Sequence, residues 1–239
     1  MLAFLLRRVI AASIILAAVS LVVFIIVYAS PADPVRTLLG QNSTAEQIAA
    51  LRTKMGLDLP FLQQYGGWLL RLIHGDFGLS IATQVPAINI LLPAYQNTLW
   101  LALSSLLVTL VVGVTIGTIA GFRAGSLYDK AAMFVTEVLA ATPVFWMGII
   151  LIWIFAKELN WLPSSGMRNM RLRGSYTDLP THLVLPSLAA SVLAIAIVAR
   201  LIRTAVIDIL STDYVKLARA AGMSSLQIFR MQVWRNVLP

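Results

Sequence analysis

The stretch VIAASIILAAVSLVVFIIVYA, residues 9–29, runs for 21 positions without a charged side chain. At 1.5 Å per residue a helix of that length rises about 31 Å, the thickness of a bilayer's hydrocarbon core, and a helix satisfies its own backbone where water is absent. It reads as a transmembrane helix. Arg7 and Arg8 precede it, as basic residues precede the core of a signal peptide, but the run is longer than a usual signal core. The exit "YASPADP" carries little of the small-residue pattern of a cleavage site, so an uncleaved anchor is expected. The rest of the chain agrees. Of 239 residues, 59% are hydrophobic and 12% charged, with a mean hydropathy of +0.85, which is more apolar surface than a soluble domain of this size can bury.

Three further apolar runs follow, Thr98 to Ala120, Ala131 to Ala156 and Leu183 to Ala199, which gives four expected spans. They divide the chain into an N-terminal cytoplasmic stub with the first span (1–29), an extracytoplasmic helical loop (30–96), a membrane core (97–210) and a cytoplasmic tail (211–239). Orientation rests on Lys and Arg. Ten of the 18 lie in segments 1–8, 122–130 and 200–239, and eight in the longer segments 30–96 and 157–182. That bias favours a cytoplasmic N-terminus, against the contribution of Arg168, Arg171 and Arg173. The net charge of +8 fits the same pattern, and no nucleic-acid partner is expected. Cysteine is absent, which excludes disulfides, thiolate metal sites and a thiol nucleophile.

The loop 30–96 carries its own helix punctuation. Ser43 with Glu46 forms a capping-box pattern before AEQIAALRTKM, and Gly56 stops that helix; Pro60 opens FLQQYGGWLLRLIHG, which Gly75 ends. Two short amphipathic helices are expected, with Trp68, Leu69 and Leu72 suited either to docking a partner outside the membrane or to lying on its surface. In the second span Gly113, Gly117 and Gly121 recur every four residues, a stripe that lets another helix approach closely. Pro143 interrupts the third span and Pro186 the fourth, and each removes a backbone hydrogen bond. Glu137 is the acidic residue set well inside an apolar run, which with Pro143 marks a possible substrate path. His74 and His182 are isolated, so no metal site is expected, and neither HExxH nor a glycine-rich phosphate loop occurs. No catalytic residue is expected.

The tail, DYVKLARAAGMSSLQIFRMQVWRNVLP (213–239), is unlike the rest. Thr212 or Asp213 can cap a helix over Tyr214 to Ala221, Gly222 stops it, and Ser224 with Gln227 offers a capping box for a second helix. On the first, Tyr214, Leu217, Ala218 and Ala221 share one face, while Lys216 and Arg219 point away. A slim helix of this kind suits a groove on a partner protein; a helix lying on anionic lipid is the alternative.

These residues resemble the cytoplasmic EAA loop of ABC-transporter permeases, in the branch that imports dipeptides, oligopeptides, glutathione and nickel. Asp213, Tyr214, Ala218, Ala220, Gly222 and the ending Arg235, Asn236, Leu238 and Pro239 match its pattern, with Lys216 and Leu217 where the general consensus has Glu and Ala. The similarity extends through FLLRRV, Asp33-Pro34, MGLDLPFLQQY, GDFGLS, the Pro143-Val-Phe-Trp run, LNWLPSSG and LVLPSL. The resemblance implies an all-α integral membrane protein of the type I (MetI-like) importer fold, with four of the usual six transmembrane helices and a C-terminal truncation at Pro239. It implies residence in a bacterial inner membrane beside a second permease subunit, two cytoplasmic ATPases, a periplasmic or lipid-anchored substrate-binding protein and membrane lipids. No cofactor is implied for this chain, because ATP is bound and hydrolysed by the partners. Asp213, Tyr214, Leu217, Ala218, Ala221 and Gly222 would couple to the ATPases. The implied cargo is a di- or oligopeptide, glutathione included; a nickel permease of the same branch and a non-transporting scaffold are the alternatives.

Overall fold

The computed structural model describes residues 2–30, 34–40, 43–80, 82–167 and 178–229. Asp33, the arginines Arg168, Arg171 and Arg173, and the ending Arg235 to Pro239 lie outside the described residues. All regular structure among the described residues is helical, apart from one isolated bridge between Leu79 and Pro86. Two compact units divide at Ala94 and Tyr95.

In the first unit, α1 (Leu2–Tyr28) is a 27-residue apolar helix with exposed hydrophobic side chains along its length, the surface expected of a lipid-facing span. After α2 (Pro34–Leu39), the capping box of α3 (Ala45–Lys54) forms one residue later than expected. Thr44 and Gln47 bond reciprocally, with Thr44 N–H donating to Gln47 Oε1 at 3.1 Å, while the Ser43 hydroxyl turns back to the Gly40 carbonyl. Gly56 (φ 69°) carries the chain out of α3. The Gln64 amide then donates to the carbonyls of Leu57 and Leu59, which fastens the MGLDLPFLQQY turn to α4 (Phe61–Ile73). Helix α4 docks on α1 through aromatic rings. Phe24 meets Phe61, Tyr65 and Trp68 with ring centroids 5.4–5.8 Å apart, Tyr28 meets Phe61, and the Tyr65 and Ser20 hydroxyls share a hydrogen bond of 2.8 Å. Aromatic rings with polar tips near a span's end are the side chains that settle at a membrane interface. GDFGLS is a turn, in which Gly75 and Gly78 take positive φ and the Asp76 carboxylate accepts from Gly78 N–H.

Helix α5 (Ile88–Val108), most of which belongs to the second unit, passes through a π-helical stretch, Thr109–Gly113, into α6 (Val114–Phe122), so that one apolar rod of 35 residues runs from Ile88 to Phe122. Helix α7 (Leu127–Ala141) starts on the Ser126 cap. The expected single span from Ala131 to Ala156 is instead α7 followed by α8 (Val144–Leu151) with its π-helical continuation Ile152–Glu158, bent by 104°. Pro143 supplies the reason. Its nitrogen cannot donate to the preceding turn, and its ring holds Thr142 in extended backbone (ψ 128°), so the helix closes at Ala141 and restarts in a new direction. Pro186 has no such effect, and α9 (Leu179–Ser211) runs unbroken for 33 residues. It is the centre of this unit, in contact with α6, α7 and α8, and buries Leu183, Leu185, Ala189, Ala196 and Ala199.

Candidate functional site

Helix α9 is too long for the bilayer alone. The 12 residues from Arg200 to Ser211 extend past its apolar run by about 18 Å, which carries the chain's next elements beyond the hydrocarbon. At Thr212 the backbone turns extended and α10 (Asp213–Ala220) begins, with Asp213 in its first turn and Arg219 in its last, charges that suit the helix dipole. Its end is a Schellman motif. Met223 N–H donates to the Ala218 carbonyl at 3.1 Å and Gly222 N–H to Arg219 at 3.0 Å, with Gly222 at φ 84°. Any other residue at 222 would enter the left-handed region at a cost of about 1–2 kcal/mol. Ser224 and Gln227 then form the capping box of α11 (Ser225–Ile228), with bonds of 2.8 and 3.3 Å.

This hairpin is fastened to the bundle by a small apolar core. Val215 of α10, Val206 of α9 and Ile228 of α11 are fully buried together, with Phe122, Ile209, Leu210, Met223 and Phe229 packed around them. Val215 was not among the residues singled out in the sequence. It is the position that anchors α10, while Tyr214 (45% exposed) and Leu217 (72% exposed) on the expected docking face remain accessible and Ala221 and Gly222 lie at the surface. Ala218 is half-buried, and Asp213 pairs with Lys216 at 2.9 Å in the open.

The level just above the hairpin is held by two kinds of contact. Gly113, Gly117 and Gly121 lie directly against α9: a Cβ on Gly117 would stand 2.4 Å from the Ala199 carbonyl oxygen, and one on Gly121 would stand 2.7 Å from Val206 Cβ. Opposite them, Arg203 of α9 grips Asp129 of α7 with both arms of its guanidinium, Nε to Oδ1 at 2.5 Å and an Nη to Oδ2 at 2.7 Å. The Asp129 side chain is 2% exposed, and Gly125 N–H donates to Oδ2 at 2.9 Å. A buried carboxylate with a bidentate arginine and a backbone donor is fully satisfied, which is what its burial requires. Neither residue stood out in the sequence, although Ser126 and Asp129 have capping-box spacing ahead of an apolar run. Nothing local shows that two residues 74 positions apart will pair.

Glu137 and Pro143 are not brought together into one site. Glu137 pairs with Arg200 of α9, both side chains more than half exposed, and Pro143 lies at the bend after α7. Two apolar grooves flank α9. One of about 320 Å³ lies among the π-helical stretch after α5, α6, α7 and α9, and one of about 480 Å³ lies beside Trp100 and Leu183. Thr136 in the first and Ser104 and Ser187 in the second bond their own helices, which leaves the Tyr128 hydroxyl as the further side-chain polar group lining the first, so neither groove offers the convergent polar groups that would orient a polar ligand.

The fold is that of an all-α integral membrane protein with long apolar helices and a rigid polar hairpin at the end of its central helix. Residues 113–239 match the family described as "Binding-protein-dependent transport system inner membrane component", and residues 1–112 match its N-terminal partner, "Binding-prot-dependent transport system membrane comp, N-term". The chain belongs to this family of inner-membrane transport permeases. It is similar to the dipeptide transport system permease protein DppB of Alkalihalophilus pseudofirmus, 29% identical over all of this chain and 77% of that one. It is 32% identical to a probable peptide ABC transporter permease protein of Sinorhizobium fredii, over 98% of this chain and 74% of that one. The glutathione transport system permease protein GsiC of Escherichia coli is also 32% identical, over 92% of this chain and 69% of its own length.

Proposed function

We propose that this chain is a permease subunit of an ABC importer that moves di- or oligopeptides, glutathione among them, across the inner membrane by alternating access. The family and the dipeptide, peptide and glutathione permeases it resembles support the cargo class. The observation that carries the mechanism is the division of labour on α10, which is anchored through Val215 and leaves Tyr214 and Leu217 exposed for a partner. The partners are a second permease, two cytoplasmic ATPases and a periplasmic or lipid-anchored binding protein. ATP is bound and hydrolysed by the ATPases, and this chain needs no cofactor of its own. The Lys and Arg bias supports a cytoplasmic N-terminus, and with the bent α7–α8 pair counted as one crossing of four this puts α10 on the ATPase side. Closure of the ATPases moves α10, and the helices attached to it exchange outward and inward openings.

Coexpression with the genes of the transporter and purification in detergent tests this reading. Two ATPases are expected to copurify, and Gly222→Pro or Ala218→Trp is expected to lose them. A chain that comes out alone under conditions that preserve its helicity would return the hairpin to the lipid surface.

Glu137 belongs to the substrate path in this proposal, with Arg200 as its resting partner. An ion pair more than half exposed between two apolar helices is poorly placed against lipid and well placed beside an aqueous path, where it can exchange partners with a zwitterion. Glu137→Gln is expected to lower uptake of a labelled tripeptide about tenfold, the scale of one charge-assisted contact, with assembly intact. Uptake at the unmodified rate would remove Glu137 from the path.

A further inference from the structure

We propose that Asp129 and Arg203 form a latch that transmits the movement of α10 into α7 and on to the bend at Pro143; the inference rests on the importer reading above. The contacts form a continuous chain. Val215 of α10 is buried against Val206 of α9, and Arg203 lies one helical turn before Val206. At that level α9 touches its two neighbours in different ways. Against α6 the contact is steric, glycine surface on the backbone and β-branched side chains of α9 at close approach. Against α7 the contact is a two-point fork with fixed direction, Arg203 to both oxygens of Asp129. The carboxylate end is buried, with Asp129 2% exposed and Arg203 28% exposed, so water reaches the pair from the arginine side alone and competes weakly for the carboxylate.

The far end of the fork is equally fixed. Asp129 sits in the first turn of α7, its Oδ2 also holds Gly125 N–H, and its own N–H donates to the Ser126 cap. A displacement of Arg203 therefore drags the start of α7 as a body rather than one side chain. From Leu127 to Ala141 that helix is unbroken, 15 residues or about 21 Å, and it ends at Thr142 and Pro143, the two extended residues that separate it from α8. Helices move as rigid bodies and bends absorb the change of angle, so a pull on the near end is delivered at the bend. The Glu137–Arg200 pair on the same seam is open to solvent on both sides and makes a poor clamp. Asp129 and Arg203 are thus positioning residues of the transport cycle, touching neither cargo nor nucleotide.

The sequence has no cysteine, so one introduced into it is the single thiol of its 239 residues, and labelling is read on this chain alone after the subunits are separated. In the assembled transporter in nanodiscs, Phe145→Cys places a reporter on α8 just past the bend, at a side chain 71% exposed, and Lys216→Cys places a crosslinking site on α10. Maleimide labelling at 145 is measured without nucleotide and with ADP and vanadate. The expected result is a nucleotide-dependent change in labelling that Asp129→Asn abolishes and Asp129→Glu restores, while the crosslink from 216 to the ATPase and the yield of complex stay constant. A retained nucleotide response in Asp129→Asn overturns the latch, as does a response lost only together with the crosslink, which would make the pair a support for α10. If Asp129→Asn yields no complex, Arg203→Lys, which keeps the charge and loses the fork, decides by the same criterion. A crosslink without any response at 145 in the reporter parent also overturns the latch. Absence of that crosslink in the parent, together with a chain that purifies without the ATPases, defeats the importer reading itself.

Discussion

Gly117→Val is expected to prise α6 from α9 and to destabilise the protein by about 3 kcal/mol or more, at the upper end of what overpacking a tight seam costs. The position leaves no room, because a Cβ at 117 would stand 2.4 Å from the Ala199 carbonyl oxygen and 2.9 Å from Ile202 Cβ, and a helix backbone cannot yield as a side chain can. Gly113 is the internal control. There an added Cβ meets Val198 Cβ and Cγ1 at 3.0 Å and the Ile195 carbonyl oxygen at 3.3 Å, a milder overlap that a few tenths of an ångström between the helices relieve, and Gly113→Ala is expected to cost about 1 kcal/mol. Thermal unfolding in detergent, followed by loss of helicity and of a monodisperse elution peak, separates the two variants. A Gly117→Val protein that melts with the parent would show that α6 and α9 do not hold this spacing.

Val215→Asp and Leu217→Asp are expected to fail in opposite ways, although the residues lie two positions apart on one short helix. Val215 is fully buried between Val206 and Ile228, with no polar group in that cluster to receive a carboxylate. Burying the acid there costs several kcal/mol, so the hairpin is expected to detach: protease sensitivity rises at residues 212–229, and the ATPases are lost as a consequence. Leu217 is 72% exposed, so its replacement leaves the melting temperature and the protease pattern unchanged. On the proposed docking face it is nevertheless expected to reduce recovery of the ATPases at least about tenfold, because an apolar contact is exchanged for a desolvated charge. Equal ATPase recovery with Leu217→Asp would move the docking face elsewhere on the hairpin. An intact hairpin in Val215→Asp would remove the anchor on which both the proposed function and the latch depend.

Much of this architecture is legible in the chain because it rests on local chemistry. The apolar run 9–29 is helical up to Tyr28, since a backbone in hydrocarbon has few other ways to satisfy its polar groups along so many uncharged residues. Gly222 and the Ser224–Gln227 box mark the hairpin turn because a left-handed residue and a reciprocal cap depend on neighbours within a few positions. The same logic misplaced the cap of α3 by one residue. Ser43 with Glu46 and Thr44 with Gln47 both fit the spacing, and the choice depends on where the first helical turn closes.

What the sequence left open depends on contacts between distant segments. Pro143 and Pro186 are the same residue in apolar surroundings, and one breaks its helix while the other is carried straight through. Pro186 itself is exposed on the outer side of α9, but buried Leu183, Leu185, Ser187 and Ala189 around it hold the helix against its neighbours, and the Ser187 hydroxyl bonds the preceding turn. Pro143 is followed by the exposed Phe145 and Trp146, so no comparable packing opposes the bend. Asp129 reads as one more acid at a helix start until α9 brings Arg203 to it, and Val215 reads as one more aliphatic until Val206 and Ile228 close around it. Spacing along the chain determines caps, stops and spans, since these are settled within a turn or two of helix. Which charge is buried, which proline bends and which face of α10 remains free are decided only when the helices pack, because each is a property of the neighbour that arrives.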